Sequence, residues 1–373
     1  MDEPRDDPSY FEVGSEQVRL LLDGRESLVA MLAAIASAKH EVLLEMYWIG
    51  DDIVGHAFLA ALTDAASRGV KVHVVFDAIG SLAIGLPFFA PLIARGGNVR
   101  EYNAISPWNL GIVEVRDHRK LLVVDGARAF TGGVNLAKQW APVEAGGDGW
   151  RDDMIEVVGR TANELRTFFF GTWRRLTAQR NPPDLVPIPR TSTRRVSVLS
   201  SRNRRHRIHG EYVRRIKRAK KSVDIANPYF VPDFRVMRAL MHACKQRVRV
   251  RILVPERNDI PILRYAQNGL LERLLRRGVE IYALPGAMMH QKTAIIDDAW
   301  VTIGSYNLDE RSLRKNLELN VAVEDVPFAT YVRERSFDGD VKSAHRIELT
   351  HFTERGIVAR ATEQLALVFR RLF

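Results

Sequence analysis

The feature that most constrains this chain is a stretch it contains twice. His118-Arg119-Lys120, Asp125 and Gly132-Gly133-Val134-Asn135 return as His290-Gln291-Lys292, Asp297 and Gly304-Ser305-Tyr306-Asn307. In both copies Lys follows His by two positions, Asp follows Lys by five, and Gly and Asn follow His by fourteen and seventeen. A single motif match misleads easily, but a repeat with identical offsets is not the work of two ordinary strand-turn-strand segments.

That spacing carries chemistry. The residues after each His, Leu121-Leu122-Val123-Val124 and Thr293-Ala294-Ile295-Ile296, read as a strand, and side chains two apart on a strand share a face, so His and Lys project together. Asp125-Gly126 signals a tight turn, after which the chain returns through Arg128-Ala129-Phe130-Thr131, or Trp300-Val301-Thr302-Ile303 in the second copy. The hairpin carries Gly132 to Asn135 back beside His118. Helix-like stretches follow at Leu136–Trp140 and Leu308–Leu313, with Asn as a favoured N-cap and backbone N–H groups suited to an anion. Each copy therefore predicts an imidazole, an ammonium, an amide and N–H donors around one point. This suits a phosphate.

The two H-x-K-x4-D stretches, each followed by G-[GS]-x-N, resemble the phospholipase D superfamily, and their surroundings resemble its bacterial cardiolipin synthase branch. The likeness extends to Glu41-Val42-Leu43-Leu44-Glu45-Met46-Tyr47-Trp48, Asn227-Pro228-Tyr229-Phe230 and Ser305 through Ser312, and covers roughly residues 15–373. It implies an α/β fold, phospholipase D-like, in which two homologous α/β/α halves are related by a pseudo-two-fold with the active site at their interface.

The order of elements agrees with a duplication. A helical pattern from Leu20 leads into a strand at Val42 to Ile49, and a second helix, Ala57 to Ser67, leads into a strand at Val70 to Phe76, which reads as α/β with a largely parallel sheet. Ala38-Lys39-His40-Glu41-Val42 is echoed by Ala219-Lys220-Lys221-Ser222-Val223, and Val99-Arg100-Glu101-Tyr102 by Val279-Glu280-Ile281-Tyr282, at offsets of 172 to 181 residues once the motifs are included. Residues 1–14 read as a disordered tail, 15–180 as the first half, the Pro-rich 181–195 as a linker, and 196–373 as the second half with a C-terminal amphipathic tail. Two such halves facing each other would bring His118 and His290 into one cleft.

Charge narrows the partner. With 55 Lys and Arg against 45 Asp and Glu, the formal net charge is +10, which favours a polyanion, either nucleic acid or an anionic bilayer. The acidic, Pro-containing start is the opposite of a signal peptide, and no uncharged apolar run of about eighteen residues indicates a transmembrane helix. A lipid substrate would then be approached from the side, as by a peripheral protein on the cytoplasmic face of a bacterial inner membrane. The apolar segment 82–93 and the C-terminal 365–373 have the mixture found in interfacial helices and equally in core helices. The basic run 202–221 suits a solvated helix face, a headgroup patch or a nucleic-acid patch. The single cysteine, Cys244, lies in a helical stretch and reads as packing.

Two imidazoles with an ordinary pKa near about 6.5 can divide the work of phosphoryl transfer, one attacking phosphorus and the other moving a proton to and from the alcohols. The residues fit either order; the resemblance implies His118 as nucleophile and His290 as acid and base. His118, Lys120 and Asp125 with His290, Lys292 and Asp297 form the catalytic motif set, in which the lysines hold non-bridging oxygens and the aspartates order the hairpin. Asn135, Ser305 and Asn307 are expected to bind the substrate phosphate, with Gly133 leaving no hydroxyl in the first copy. Asp152 or Asp153, and Glu318, occupy matching places downstream and are expected to orient the histidines, with Asp152 and Glu318 preferred. No metal and no cofactor are called for. The resemblance implies phosphatidyl transfer between two phosphatidylglycerols, or between phosphatidylglycerol and another phospholipid, through a phosphohistidine. The alternatives are hydrolysis of phospholipid or nucleic acid, and a non-catalytic binder of anionic membranes. An anionic phospholipid is the expected partner, nucleic acid is disfavoured, and no protein partner is implied.

Overall fold

The computed structural model describes residues 10–104, 115–182, 184–187, 194–201, 206–353, 362, 363 and 365. The chain divides into two compact units, Met1–Val198 and Leu199–Phe373.

In the first unit the elements run β1 (Phe11–Val13), β2 (Glu16–Leu22), α1 (Asp23–Ser37), β3 (Glu41–Met46), α2 (Ile53–Ser67), β4 (Lys71–Asp77), α3 (Ala90–Ala94), β5 (Asn98–Tyr102), β6 (Lys120–Val124), β7 (Arg128–Gly132), β8 (Asp153–Val158) and α4 (Arg160–Thr177). They build one sheet in the order β1-β2-β8-β7-β6-β3-β4-β5. The helix-connected strands β3, β4 and β5 run parallel, because a crossover helix returns the chain to the same edge direction. The remaining neighbours pair antiparallel. The expectation of a largely parallel sheet is thus corrected to a mixed one: tight turns such as Asp125-Gly126, both at positive φ, can join only antiparallel strands.

The expected helix from Leu20 is a second correction. Val18 and Leu20 alternate inward along β2, and the helix starts only at Asp23, where φ is +57°. Phe11–Val13 pairs with β2, so a strand begins inside the stretch read as a disordered tail; the first nine residues lie outside the described ones. The helix expected from Ala57 starts earlier, at Ile53, because the Asp52 carboxylate accepts the N–H groups of Val54 and Gly55.

Alternation along β3 sets the layers. Val42, Leu44 and Met46 join Leu62, Val74, Phe76, Leu122 and Phe130 in a core under α1 and α2. On the other face Glu45 meets Arg119, which also reaches Thr172 of α4. The apolar segment 82–93 is divided: Phe89 and Leu92 are buried in the core, while Leu82, Leu86 and Ile93 are exposed.

The second unit follows the same plan: β9 (Val196–Ser200), α5 (Arg207–Arg218), β10 (Ser222–Ala226), α6 (Phe234–Lys245), β11 (Arg249–Pro255), α7 (Pro261–Leu275), β12 (Glu280–Leu284), β13 (Thr293–Ile296), β14 (Trp300–Gly304), α8 (Glu310–Arg314), β15 (Leu319–Glu324), α9 (Val326–Val332), α10 (Asp338–Val341), β16 (His345–Arg346) and α11 (Thr350–Thr353). Its sheet order is β16-β12-β11-β10-β13-β14-β15-β9, again with a parallel β10-β11-β12 core. Ile216, Ile225, Leu240, Ile252 and Trp300 fill its interior, and Cys244 packs at the edge as expected. Residues 202–205 of the basic run and 366–373 of the C-terminal tail lie outside the described residues.

Candidate active site

Strand register places each histidine. Met46 at the C-terminal end of β3 pairs with Lys120, the first residue of β6, so His118 arrives at that end of the sheet. In the second unit Ala226, the last residue of β10, pairs with Thr293, so His290 arrives at the equivalent end.

Both histidines are nearly buried, at 8% exposure for His118 and 5% for His290. Lys120 Nζ donates to the His118 carbonyl at 2.7 Å. Lys292 Nζ lies 2.8 Å from His290 Nδ1 and also donates to the His290 carbonyl. An ammonium has only protons to give, so in this contact Nδ1 accepts and a neutral ring carries its proton on Nε2.

A tyrosine completes each arrangement. Tyr47 meets His118 edge to face with centroids 4.8 Å apart, and Lys120 Nζ stands 4.9 Å from the same ring. Tyr229 meets His290 in the same manner at 6.2 Å. Sequence reasoning gave neither tyrosine a role, although both stand shortly after the first parallel strand of their unit.

The downstream carboxylates are equivalent by register. Gly132 pairs with Met154 and Gly304 with Asn320, which puts Asp152 and Glu318 two residues earlier at the same place. Glu318 accepts from Ser305 Oγ at 2.5 Å, Ser312 Oγ at 2.7 Å and Asn316 Nδ2 at 3.2 Å. Asp152 accepts from Trp140 Nε1 and from the Asp153 N–H, both at 2.9 Å. Asp153 instead pairs with Arg151. The Gly133/Ser305 asymmetry now has a cause. A Cβ on Gly133 would stand 2.0 Å from Asp152 Oδ1, so the shorter Asp carboxylate occupies the space that Ser305 fills opposite the longer Glu.

The expected phosphate ligands fare unequally. The Ser305 hydroxyl is fully buried and gives its one proton to Glu318. Asn135 Oδ1 accepts from the Trp48 N–H at 3.2 Å, while Asn307 Oδ1 is buried with no hydrogen-bond partner. Neither asparagine caps a helix. After Asn135 only a three-residue 3-10 turn, Lys138–Trp140, forms, and after Asn307 the cap is Asp309, whose carboxylate accepts the Ser312 N–H at 2.7 Å. Asp309 was not singled out from sequence; burial and the nearby Glu318 charge outweigh its cap bond and push its pKa up to about 7.

Asp125 and Asp297 stand at the far ends of their strands, roughly 16 Å from their lysines at about 3.3 Å per residue. Asp125 accepts the N–H groups of Lys39, His40 and Glu41, and Asp297 those of Lys220, Lys221 and Ser222. Burial would raise the Asp125 pKa, but these bonds override it and hold the carboxyl below its ordinary range. Each aspartate clasps the start of its unit's first parallel strand. Behind His118, Asp77 accepts the Asp117 N–H at 2.8 Å, and Arg119 is tied to Glu45 at 2.8 Å, so the backbone approaching the histidine is fixed from beneath. In the second unit Gln291 takes the Arg119 place and donates to Ser336 and Asp340. Among the described residues no group of three or more His, Cys, Asp or Glu is placed to hold a metal ion, and no helix is long and apolar enough to cross a membrane.

Comparisons with known proteins identify the family. A family model described as cardiolipin synthase, PLD-like domain, matches residues 31–144 and 212–340, together more than half of the chain. Cardiolipin synthase A of Pseudomonas putida (strain W619) is 32% identical over 339 residues, covering 90% of this chain and 70% of that protein. The probable cardiolipin synthase YwiE of Bacillus subtilis (strain 168) is 28% identical over 363 residues, covering 94% of this chain and 71% of its own. Among solved structures, phosphatidylserine synthase from Haemophilus influenzae Rd KW20 matches with a TM-score of 0.78 over 98% of both chains at 14% identity, a likeness of fold.

Proposed function

The chain belongs to the cardiolipin synthase family of PLD-like proteins, and from that premise we propose that it is a phosphatidyltransferase acting on two molecules of phosphatidylglycerol. His118 attacks phosphorus, a P–N bond forms as the P–O bond to the departing glycerol breaks, and His290 supplies the proton that glycerol takes away. The hydroxyl of the second phosphatidylglycerol then gives its proton to His290 and displaces His118, leaving cardiolipin. Covalent capture divides one difficult displacement into two easier ones.

The observation that carries the reading is the repeated pairing of a nearly buried imidazole with a lysine two residues on. The division of roles rests on the family likeness: an imidazole protonates a leaving alcohol only as its cation, so His290 enters the first step protonated on both ring nitrogens, with Lys292 donating to the His290 carbonyl alone. The lysines and Asn307 supply cation and amide to the phosphate, and the Glu318 and Asp152 carboxylates serve as the fixed acceptors that orient the site. The aspartates of the motif hold it to the sheet and take no part in proton transfer. The proposed substrate and the formal charge of +10 support work at an anionic membrane, approached peripherally from the cytoplasmic side of a bacterial inner membrane.

The test incubates the purified chain with headgroup-intact phosphatidylglycerol radiolabelled at phosphorus and resolves the lipid products. Cardiolipin is expected; phosphatidic acid would make the protein a hydrolase, and no product from lipid would return it to the class of binders. His118→Ala and His290→Ala are each expected to lose at least about 100-fold in turnover, the low end for removing a general acid or base. After acid-free quenching, labelled protein should accumulate in His290→Ala and be absent in His118→Ala. Wild-type turnover in both variants would sink the assignment.

A further inference from the structure

In each unit a large apolar side chain stands exposed at the same topological place. Ile53 opens α2 directly after its Asp52 cap and is 55% exposed; Phe234 opens α6 directly after its Asp233 cap and is 64% exposed. Both positions follow the C-terminal end of the first parallel strand, the end at which the motif histidine of that unit arrives. A phenylalanine left in water forgoes the gain that burial of its ring would return.

The surroundings of Phe234 identify what could cover it. The Arg235 guanidinium stands 5.9 Å from its ring. Beside it opens a cavity of about 290 Å³ lined by His206, His209, Asp233, Arg235 and Arg314. The one carboxylate in that lining is already spent: Asp233 Oδ1 accepts from His209 Nε2 at 2.9 Å and from the Val236 N–H at 3.1 Å. Arg314 pairs with Glu310, yet its side chain is still 58% exposed. The same loop leads back to Tyr229, whose ring edges onto His290 and whose hydroxyl bonds Asp259, next to the partly exposed Ile260.

We propose that this face of the second unit is where the protein rests on an anionic bilayer, with Phe234 entering the acyl region and a lipid phosphate seated in the cavity beside it. The proposal rests on the lipid-phosphate chemistry argued above and adds where the membrane lies. Apolar side chains ringed by cations are what an anionic interface rewards, since burial and attraction to the headgroups add. Duplex DNA fits less well: its charged backbone would satisfy the arginines but offers no apolar layer to cover Phe234 and Ile260.

The full chain is sedimented with vesicles of phosphatidylcholine containing or lacking phosphatidylglycerol. Phe234→Ala should lower partitioning onto the phosphatidylglycerol vesicles roughly tenfold or more. The pair Arg235→Gln and Arg314→Gln should lower it roughly fivefold per arginine and flatten its salt dependence. Val29→Ala, on an exposed position of α1, should change nothing. Unchanged circular dichroism and melting temperature in each variant exclude loss of fold. The proposal is overturned if the unaltered chain ignores these vesicles, if Phe234→Ala binds them as before, if Val29→Ala weakens binding equally, or if Phe234→Ala weakens binding to duplex DNA instead. Product formation by the unaltered chain from detergent-dispersed phosphatidylglycerol is scored separately. Its absence defeats the activity and leaves the vesicle result standing.

Discussion

Gly133 and Ser305 show how a side chain is decided by its neighbour across a strand. Asp152 is fully buried and held by Trp140 Nε1 and the Asp153 N–H, so it cannot retreat from a methyl group placed 2.0 Å from its oxygen. Gly133→Ala is therefore expected to destabilise the protein by about 1–3 kcal/mol, the usual cost of forcing a group into a packed interior. Thermal melting reads the effect, and turnover should fall with it because Asp152 moves; an unshifted melting temperature would show that Asp152 yields freely. Ser305→Gly, the reverse exchange, removes a donor from Glu318 while Ser312 and Asn316 still reach it, for a loss of about 1 kcal/mol. The motif residues were legible from sequence because a strand converts a two-residue spacing into a shared face. The glycine's reason was not, because it depends on the register of β7 against β8. Tyr47 and Tyr229 were missed for a related cause: an aromatic just past an apolar strand has the pattern of core, and only the coordinates set it against a histidine.

Helices and hairpins were legible to different degrees. The Asp125 hairpin formed where expected, since Asp-Gly at positive φ is a local signal that needs no tertiary help. The helix starts after Asn135 and Asn307 were not where the capping preference put them. Asn135 spends its amide oxygen on the Trp48 N–H, a contact 87 residues away in sequence, and Asp309 takes over the cap of α8. That cap has a consequence for stability. With its pKa raised to about 7, Asp309 keeps a proton in the folded state that the unfolded chain gives up near its ordinary value of 3.8. The folded state thus holds the extra proton between those two values, so this contribution to stability is full at low pH and is lost as pH rises toward neutrality. Asp309→Asn keeps an oxygen for the Ser312 N–H but cannot ionise. Measured by thermal unfolding, the variant should gain on the wild type from pH 5 to pH 8, by on the order of a few kcal/mol. A stability difference that stays constant over that range would show that Asp309 is ionised throughout.

At the scale of the whole molecule the duplication was legible before any coordinates, because the offsets between matching segments stay near one value along most of the chain. The balance of sheet directions was not: helix-then-strand order is visible only through β5, and the hairpins that follow reverse the pairing in each sheet. Charge is the property that belongs to no one element. With a formal +10, attraction to an anionic surface should be long-ranged at low salt, where the screening length is about 10 Å at 0.1 M, and nearly gone at 1 M, where it is about 3 Å. Apolar anchoring such as that of Phe234 has no such dependence, so the two contributions separate under salt. Raising sodium chloride from 0.05 to 0.5 M should weaken apparent affinity for phosphatidylglycerol vesicles by at least about tenfold, given about 1 kcal/mol for each cation near the surface. Turnover at saturating lipid should change by less than about twofold, because the lysines proposed to hold the phosphate are nearly buried and bulk salt screens them little. Initial rates across a lipid titration at both salts separate these quantities. If the maximal rate fell as steeply as the affinity, charge would be acting in the chemical step and not in bringing the enzyme to its surface.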